Sequence, residues 1–458
     1  MFAFMKQKPG FYKQVALLAA PIVLQNLITS ALAMADTFMV GMLGEVPMAA
    51  VTLANIPLFA LQMFIFGVQS GASVLVSQYW GKQEMESINR VLGVALWVVL
   101  TVSALFAGVL LVCPMEFLSL FGNEPEVIRL AAQYGSIAGL SYVCNAFTMM
   151  YVAAYRSMER PQLGLYILVG SMLVNTFLNW VFIFGRLGAP ALGVRGAAVA
   201  TLTARVLEVS IVVLHMMRNR FFRIHLHLLL RPGMDMTRRF LKYGGLVVCN
   251  ETMWGLGTSI FPTIMGHMAG STEILAAYTI AGNMEKIVMV ASFGLASTAA
   301  IIIGREIGAG RQDKLLDVGK ALNTLAVVCG VVLGGLLLTF VRFAAPAWVY
   351  PLFHLSPGAA AVASMMMGIM ALSMPLKDFN TVNIVGVLRG GGDVKAATLI
   401  DIGPLWLAAI PYAALCGLTL KTSVFWVYMS FPLEQVVKFF VGIRRLYSGR
   451  WVRDLTRA

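Results

Sequence analysis

The chain has 458 residues, of which 59% are hydrophobic and only 12% are charged. Soluble domains carry about 25% charged and about 45–50% apolar residues, so this composition excludes a soluble enzyme, a disordered chain and a nucleic-acid-binding protein. The net charge of +13 is instead expected from the excess of Lys and Arg in the cytoplasmic loops of membrane proteins. The composition therefore predicts an integral membrane protein.

Twelve segments are long and apolar enough to form transmembrane helices. A helix needs about 20 mostly apolar residues to cross the hydrocarbon core of a bilayer. Transmembrane β-strands would instead alternate apolar and polar residues, a pattern that the chain lacks. The sequence therefore predicts an all-α integral membrane protein, with kinks expected at Pro57 and Pro375. The predicted segments are 14–42, 47–77, 91–113, 127–153, 162–184, 193–216, 241–266, 275–303, 320–342, 358–387, 396–416 and 423–443.

The distribution of basic residues predicts the topology. Of the 34 Lys and Arg residues, 25 fall in loops on the side of the N-terminus and five in loops on the opposite side. Because cytoplasmic loops are enriched in Lys and Arg, both termini are expected in the cytoplasm.

The two halves of the chain resemble one another. Gly81 follows the second segment as Gly308 follows the eighth, and Arg156 follows the fourth as Arg389 follows the tenth. Each copy has an even number of segments, so both copies have the same orientation and are related by an axis along the membrane normal. The predicted domains are an N-lobe (1–216), a cytoplasmic linker (217–240) and a C-lobe (241–458). Two facing lobes leave a central cavity near the bilayer midplane, which is typical of transporters.

Acidic residues inside the C-lobe segments are the first candidate functional residues. Ionisable residues at membrane depth are costly and tend to face a protein interior or a water-filled cavity. Glu251 and Asp378 have no cationic partner on their own helix faces, so we expect them to bind Na⁺ or protons, and Glu285 is a weaker third candidate. Trp254 and Thr258 lie near Glu251 in the seventh segment and are expected in the substrate cavity.

The N-lobe has a second group of polar residues. Gln25, Thr29 and Asp36 share one face of the first segment, and Asn175 and Asn179 recur four residues apart in the fifth. We expect these side chains to line the cavity, with Asp36 as a further coupling residue. The alternatives are an interfacial position for Asp36 and hydrogen bonds between packed helices for the asparagines.

Two other polar features receive different interpretations. Arg205 and Glu208 are three residues apart in the sixth segment and are expected to neutralise each other as a structural pair. Asp401, near the cytoplasmic end of the eleventh segment, has no predicted role.

Several motifs resemble those of the multidrug and toxic compound extrusion (MATE) transporters, and the closest similarity is to the bacterial NorM-like branch. The motifs are Ala35-Asp36-Thr37-Phe38-Met39-Val40-Gly41, Asn175 to Asn179 followed by Phe182-Ile183-Phe184-Gly185, and Leu388-Arg389-Gly390 after an intramembrane acid. The resemblance covers essentially the whole chain. It implies a twelve-helix antiporter of the bacterial plasma membrane that exports organic cations, often aromatic, in exchange for Na⁺ or H⁺ by a rocker-switch motion.

The resemblance also implies roles for individual residues. Glu251 and Asp378 correspond to the C-lobe acids that bind the coupling cation, Asp36 to a first-helix acid, and Asn175 to an asparagine near it. Members that rely on the N-lobe usually have a second acid where this chain has Asn179, and this difference favours coupling through the C-lobe.

The expected function is therefore secondary active multidrug efflux by a protein that is not an enzyme. We expect no cofactor beyond the coupling Na⁺ or H⁺, with Na⁺ possible at Glu251 and Asp378. The expected partners are small cationic or aromatic substrates and the lipid bilayer, with no nucleic acid and no need for more than a monomer. The main alternative is a flippase for lipid-linked oligosaccharides, which would need several cavity arginines where only Arg205 qualifies. A membrane-embedded transferase or protease would need paired catalytic residues, which we do not find, and a passive channel would not need two lobes that both contain acids.

Overall fold

The computed structural model describes residues 7, 9–122, 124–219, 221–353 and 355–456. Within these residues the protein is almost entirely helical, as predicted. Its twelve long helices, numbered here α1–α12, are Pro9–Gly41, Glu45–Lys82, Met85–Val112, Pro125–Ser157, Gln162–Phe184, Val194–Arg218, Met234–Gly266, Ser271–Gly308, Leu315–Val349, Pro357–Arg389, Val394–Thr419 and Val424–Tyr447. Two short helices, Pro114–Leu118 and Leu226–Leu230, lie before α4 and α7.

Eleven of these helices are long and apolar enough to cross a membrane, judged over the described residues. The exception is α7, which has 33 residues but is charged over its first turns at Asp235, Arg238, Arg239 and Lys242. Its second part contains the segment that the sequence predicts as the seventh span. The protein is therefore a multi-pass membrane protein with the expected helical architecture.

Three of the helices contain π-helical stretches, in which the backbone hydrogen bonds span five residues instead of four. Such stretches are rare and often occur at functional sites. One of them, Val382–Arg389, forms the end of α10. It begins one turn after Asp378 and ends at Arg389, so both residues lie on one continuous helix. The others are Phe340–Val349 in α9, and Leu405–Ala409 and Leu415–Thr419 in α11.

The helices form two compact units. The N-unit is Leu24–Val248, and the C-unit is Met1–Val23 together with Cys249–Ala458. Each unit therefore contains part of α1 and part of α7, because both helices pass from one unit to the other. The predicted lobe boundaries at 216 and 241 remain a prediction, and the units differ from them in assigning the first 23 residues to the C-unit and residues 217–248 to the N-unit.

One helix is central to the packing of each unit. In the N-unit, α4 packs against α2, α3 and α6, and in the C-unit, α10 packs against α8, α9 and α12. α4 and α10 are the fourth helices of the two predicted copies. Much of the buried face of α10 is formed by Met366, Met367, Met370 and Met374, each at most 4% exposed. These methionines therefore pack inside the C-unit.

Glycines allow the parts of α1 and α7 to approach their neighbours closely. In the N-unit, a Cβ atom at Gly71 of α2 would lie 2.6 Å from the Cα atom of Gly244 in α7. In the C-unit, a Cβ atom at Gly294 of α8 would lie 2.4 Å from Cγ2 of Val23 in α1. Separations this short leave no room for a side chain at either glycine. The backbones of α2 and α7 therefore meet at Gly71 and Gly244, and the Val23 side chain of α1 packs against the backbone of α8 at Gly294.

Candidate functional site

Asp378 is a fully buried carboxyl group inside the C-unit. Its exposure is 0%, and its Oδ1 accepts a hydrogen bond of 2.6 Å from Oγ of Ser292 in α8. Its other oxygen, Oδ2, is buried without a hydrogen-bond partner among the described residues. A carboxylate can accept about four hydrogen bonds, and a buried charge without a partner is costly. Asp378 is therefore suited to take up a proton or a small cation.

Glu251 already has a cationic partner. Its Oε1 accepts a hydrogen bond of 2.7 Å from Nη1 of Arg389, and the two side chains are 12% and 1% exposed. Arg389 is the last residue of α10, two residues beyond the predicted end of the tenth segment at 387, because a π-helical stretch extends the helix to this residue. Glu251 lacks a cation only on its own helix face. A Na⁺ site shared by Glu251 and Asp378 remains a prediction.

A second ionic network lies beside this pair. Asn250, the neighbour of Glu251 in α7, donates a hydrogen bond of 2.9 Å from Nδ2 to Oδ2 of Asp401. Nζ of Lys438 lies 2.7 Å from Oδ1 of Asp401 and 2.6 Å from Oε1 of Glu434. One buried ammonium group therefore neutralises carboxylates from both α11 and α12.

Glu285, the third predicted C-lobe acid, also forms an ion pair. Its partner is Nζ of Lys377, so α8 and α10 are joined by a second polar contact besides the one from Ser292 to Asp378. Lys377 and Asp378 use different partners because adjacent residues of an α-helix point about 100° apart. Of the three predicted C-lobe acids, Asp378 is therefore the one that has no basic side chain within 4.0 Å among the described residues.

The N-unit brings together three of its predicted polar residues. Asn179 donates hydrogen bonds from Nδ2 to Oδ1 of Asp36, at 2.6 Å, and to Oδ1 of Asn175, at 3.2 Å. Asn175 in turn donates to Oγ1 of Thr201 in α6 at 3.4 Å. The chain of bonds connects α1, α5 and α6. Oδ1 of Asn179 is buried without a partner among the described residues, so the group has unused capacity to accept a hydrogen bond.

Other predicted cavity residues bond elsewhere. Gln25 is buried and donates from Nε2 to the carbonyl oxygen of Pro161 at 2.5 Å, which fixes α1 beside the start of α5. Thr29 and Thr258 are back-bonded to their own helices, at the carbonyl oxygens of Gln25 and Trp254. Trp254 is 36% exposed. None of these four residues hydrogen-bonds to Asp36, Glu251 or Asp378 within the described part of the chain.

Sequence reasoning missed the network around Asp401 and the role of Arg389. The i, i+4 spacing of Glu434 and Lys438 inside an apolar segment was an available signal for an intrahelical ion pair. The contact of Lys438 with Asp401 carries no such signal because it joins two helices. The pairing of Arg205 with Glu208 at 2.7 Å agrees with the sequence interpretation.

The described residues contain no cluster of three or more His, Cys, Asp or Glu side chains arranged to hold a metal ion. The polar groups are instead single carboxylates with amide, hydroxyl or basic partners. Such groups can exchange protons or monovalent cations, and they are divided between the N-unit and the C-unit.

Comparison with known proteins identifies the family. A family model described as MatE matches the chain twice, over residues 21–181 and 245–415. The two matches cover most of each half, which confirms that the halves are copies of one unit.

Full-length relatives and solved structures agree with this match. The chain is 24% identical to the uncharacterized transporter YisQ of Bacillus subtilis over 423 residues, 92% of this chain and 90% of that protein. It is 22% identical to the probable multidrug resistance protein NorM of Thermotoga maritima over 452 residues, 97% and 94% of the two chains. A variant of the Vibrio cholerae MATE transporter VcmN has the same fold, with a TM-score of 0.85, 16% identity and coverage of 97% and 98%. The chain thus belongs to the MATE family of transporters and resembles its NorM-like members.

Proposed function

We propose that this protein is a secondary active exporter of organic cations that works in exchange for Na⁺ or H⁺. The observation that carries the proposal is the carboxyl group of Asp378, which is buried, bonded only to Ser292, and has one oxygen without a partner among the described residues. A group of this kind is stabilised by a proton or by a small cation. A cation gradient can therefore drive transport through binding and release of the cation at Asp378 in the C-unit.

The cycle follows from competition between the coupling ion and the substrate. In the proposed mechanism, cation binding at Asp378 favours one orientation of the transporter and bound substrate favours the other, with a rocker-switch motion between them. A coupling free energy of about 1–3 kcal/mol is sufficient for such an exchange. Glu251 takes part by exchanging its contact with Arg389 for a contact with the ion. Glu285 is a weaker participant because Lys377 neutralises it.

The N-unit contains a second acidic site, in which the carboxyl group is hydrogen-bonded to an amide and not to a hydroxyl group. Asp36 is held by the amide of Asn179, and no basic side chain of the described residues forms a salt bridge with it. We propose that this site, with Asn175, Gln25 and Thr29 on the neighbouring surfaces, contributes to substrate or proton binding. Trp254 and Thr258 are proposed cavity residues of the C-unit.

The proposed substrate class is inferred from the family to which the chain belongs and from the negative charge of its buried acids. Relatives in the NorM-like group are named as probable multidrug resistance proteins, and acids in both units favour cationic substrates. A lipid-linked oligosaccharide flippase is less well supported because it would need free arginines facing a cavity, whereas Arg205 is paired with Glu208. We further propose a monomer in a bacterial plasma membrane with both termini in the cytoplasm.

Transport of ethidium in proteoliposomes tests the proposal. An imposed Na⁺ or pH gradient should drive ethidium transport by the wild type, and the gradient that works identifies the coupling ion. Asp378→Asn should abolish gradient-driven transport. Asp313→Asn, which removes an exposed loop acid, should leave it intact. Gradient-driven transport by Asp378→Asn at the wild-type rate would refute the site assignment, and no transport by folded wild-type protein under either gradient would refute the proposed function.

A further inference from the structure

The segment between α6 and α7 is fixed to the N-unit by its backbone. Asn89 of α3 donates from Nδ2 to the carbonyl oxygen of Arg223 at 3.2 Å, and its Oδ1 accepts from the backbone nitrogen of His225 at 3.0 Å. Phe222 is 0% exposed. A Cβ atom at Gly93 of α3 would lie 2.7 Å from the carbonyl oxygen of Leu229. The segment therefore lies directly against α3 and does not extend away from it.

The position along α3 gives the depth of this contact. α3 has 28 residues and is about 42 Å long at 1.5 Å per residue. It exceeds the hydrocarbon core of about 30 Å by about 6 Å at each end if it is centred. Gly93 lies about 12 Å from the start of α3. The short helix Leu226–Leu230, which contacts Gly93, consequently lies about 6 Å inside the end of the hydrocarbon core. Interfacial helices bury their apolar faces about 5–10 Å deep, so this depth fits such a helix.

The same segment has two apolar faces. Leu228 and Leu229 are 5% and 7% exposed and pack against the N-unit. Leu226, Leu230 and Met234, spaced four residues apart, are 66%, 55% and 66% exposed. The second face is therefore both apolar and exposed, because the described residues of the N-unit do not cover it.

Exposed arginines precede and follow this apolar face in the sequence. Arg218, Arg223, Arg231 and Arg238 are all exposed, and none forms a salt bridge within the described residues. Asp235 is the one acidic residue between positions 218 and 239. Exposed apolar side chains next to unpaired guanidinium groups are complementary to a surface that has acyl chains below and negative phosphates above.

We propose that residues 221–238 form an interfacial anchor that binds anionic phospholipids of the cytoplasmic leaflet. Leu226, Leu230 and Met234 enter the upper acyl region, and the exposed arginines donate hydrogen bonds to lipid phosphates. This assignment depends on the structure of the segment and not on the coupling ion or the transported substrate. The anchor is therefore a lipid site separate from the acids of the helices.

Spin-label accessibility in the full-length protein tests the insertion. A label at Leu230, in a variant without the five native cysteines, is measured in phosphatidylcholine membranes with and without phosphatidylglycerol. Phosphatidylglycerol should raise the accessibility of the label to oxygen and lower its accessibility to a water-soluble nickel chelate. A label at His267, an exposed residue after α7, is the control and should not respond. Equal exposure of the Leu230 label to the chelate in both membranes would overturn the proposal.

Charge variants test the recognition of anionic lipid. The triple variant Arg223→Gln, Arg231→Gln, Arg238→Gln should lose the response to phosphatidylglycerol, while the corresponding Lys variant retains it. The matched control is Arg186→Gln, Arg342→Gln, Lys421→Gln, which removes the same charge from exposed residues outside this segment and should keep the wild-type response. An unchanged response in the first triple variant would show that apolar contact alone positions the segment and would overturn the assignment to anionic lipid. These measurements contain no transport readout, so they are independent of the proposed export activity.

Discussion

The carboxylate of Glu251 and the guanidinium of Arg389 form an ion pair of 2.7 Å between α7 and α10. Arg389 is 1% exposed, so the cost of burying its charge is offset by a partner on another helix. This pair fixes α7 to α10 within two residues of Cys249, where α7 enters the C-unit. An acid expected to bind a coupling ion thus also has a structural partner.

Glu251→Gln should lower the free energy of unfolding by about 3 kcal/mol, because it removes a carboxylate that neutralises a buried guanidinium. Denaturation of the purified protein in mixed micelles measures the change. The double variant Glu251→Gln, Arg389→Gln should recover much of the loss. If the single variant is as stable as the wild type, the ion pair contributes no stability and the pairing is wrong.

Lys438→Met should be similarly destabilising, by about 3–5 kcal/mol, because Asp401 and Glu434 would both lose their shared cation in a buried position. The same unfolding measurement applies. Lys286→Met, which removes an exposed ammonium group from α8, is the control and should change stability by less than about 0.5 kcal/mol. Equal effects of the two variants would contradict the network around Lys438.

Gly71→Ala should destabilise the N-unit by about 1–3 kcal/mol, because the new methyl group would overlap the Cα atom of Gly244. Gly245→Ala is the matched control in α7, since a Cβ atom there meets nothing within 4 Å. It should be neutral, or stabilising by up to about 1 kcal/mol, because Ala favours helix more than Gly. Thermal unfolding of both variants gives the comparison, and a stable Gly71→Ala protein would contradict the close approach of α2 and α7.

Asn179→Ala should weaken ethidium export several-fold, because Asp36 loses its amide donor while the carboxyl group itself remains. Ser171→Ala, two helical turns away in α5, is the control. Its hydroxyl group is buried without a partner among the described residues, so its removal should be neutral or slightly stabilising. Export by Asn179→Ala at the wild-type rate would remove the N-unit site from the proposed mechanism.

Local sequence patterns predicted the helices well, because hydropathy and the distribution of Lys and Arg are properties of consecutive residues along the chain. The same patterns identified Asp36, Asn175 and Asn179, which share faces of single helices and do form one hydrogen-bonded group. They could not predict the partners of Glu251 and Asp401, because these lie on other helices and depend on packing between helices. The predicted tenth segment ended two residues before Arg389, because the π-helical end of α10 is not visible in hydropathy.

The passage of α1 and α7 between units has a consequence for the origin of the protein. The family model matches the chain twice, yet neither unit consists of one match alone, because each takes part of a first helix from the other half. A half-length ancestor with the same packing could complete its fold only by exchanging these helix segments with a second copy. Gene fusion would then have converted a domain-swapped homodimer into a single polypeptide.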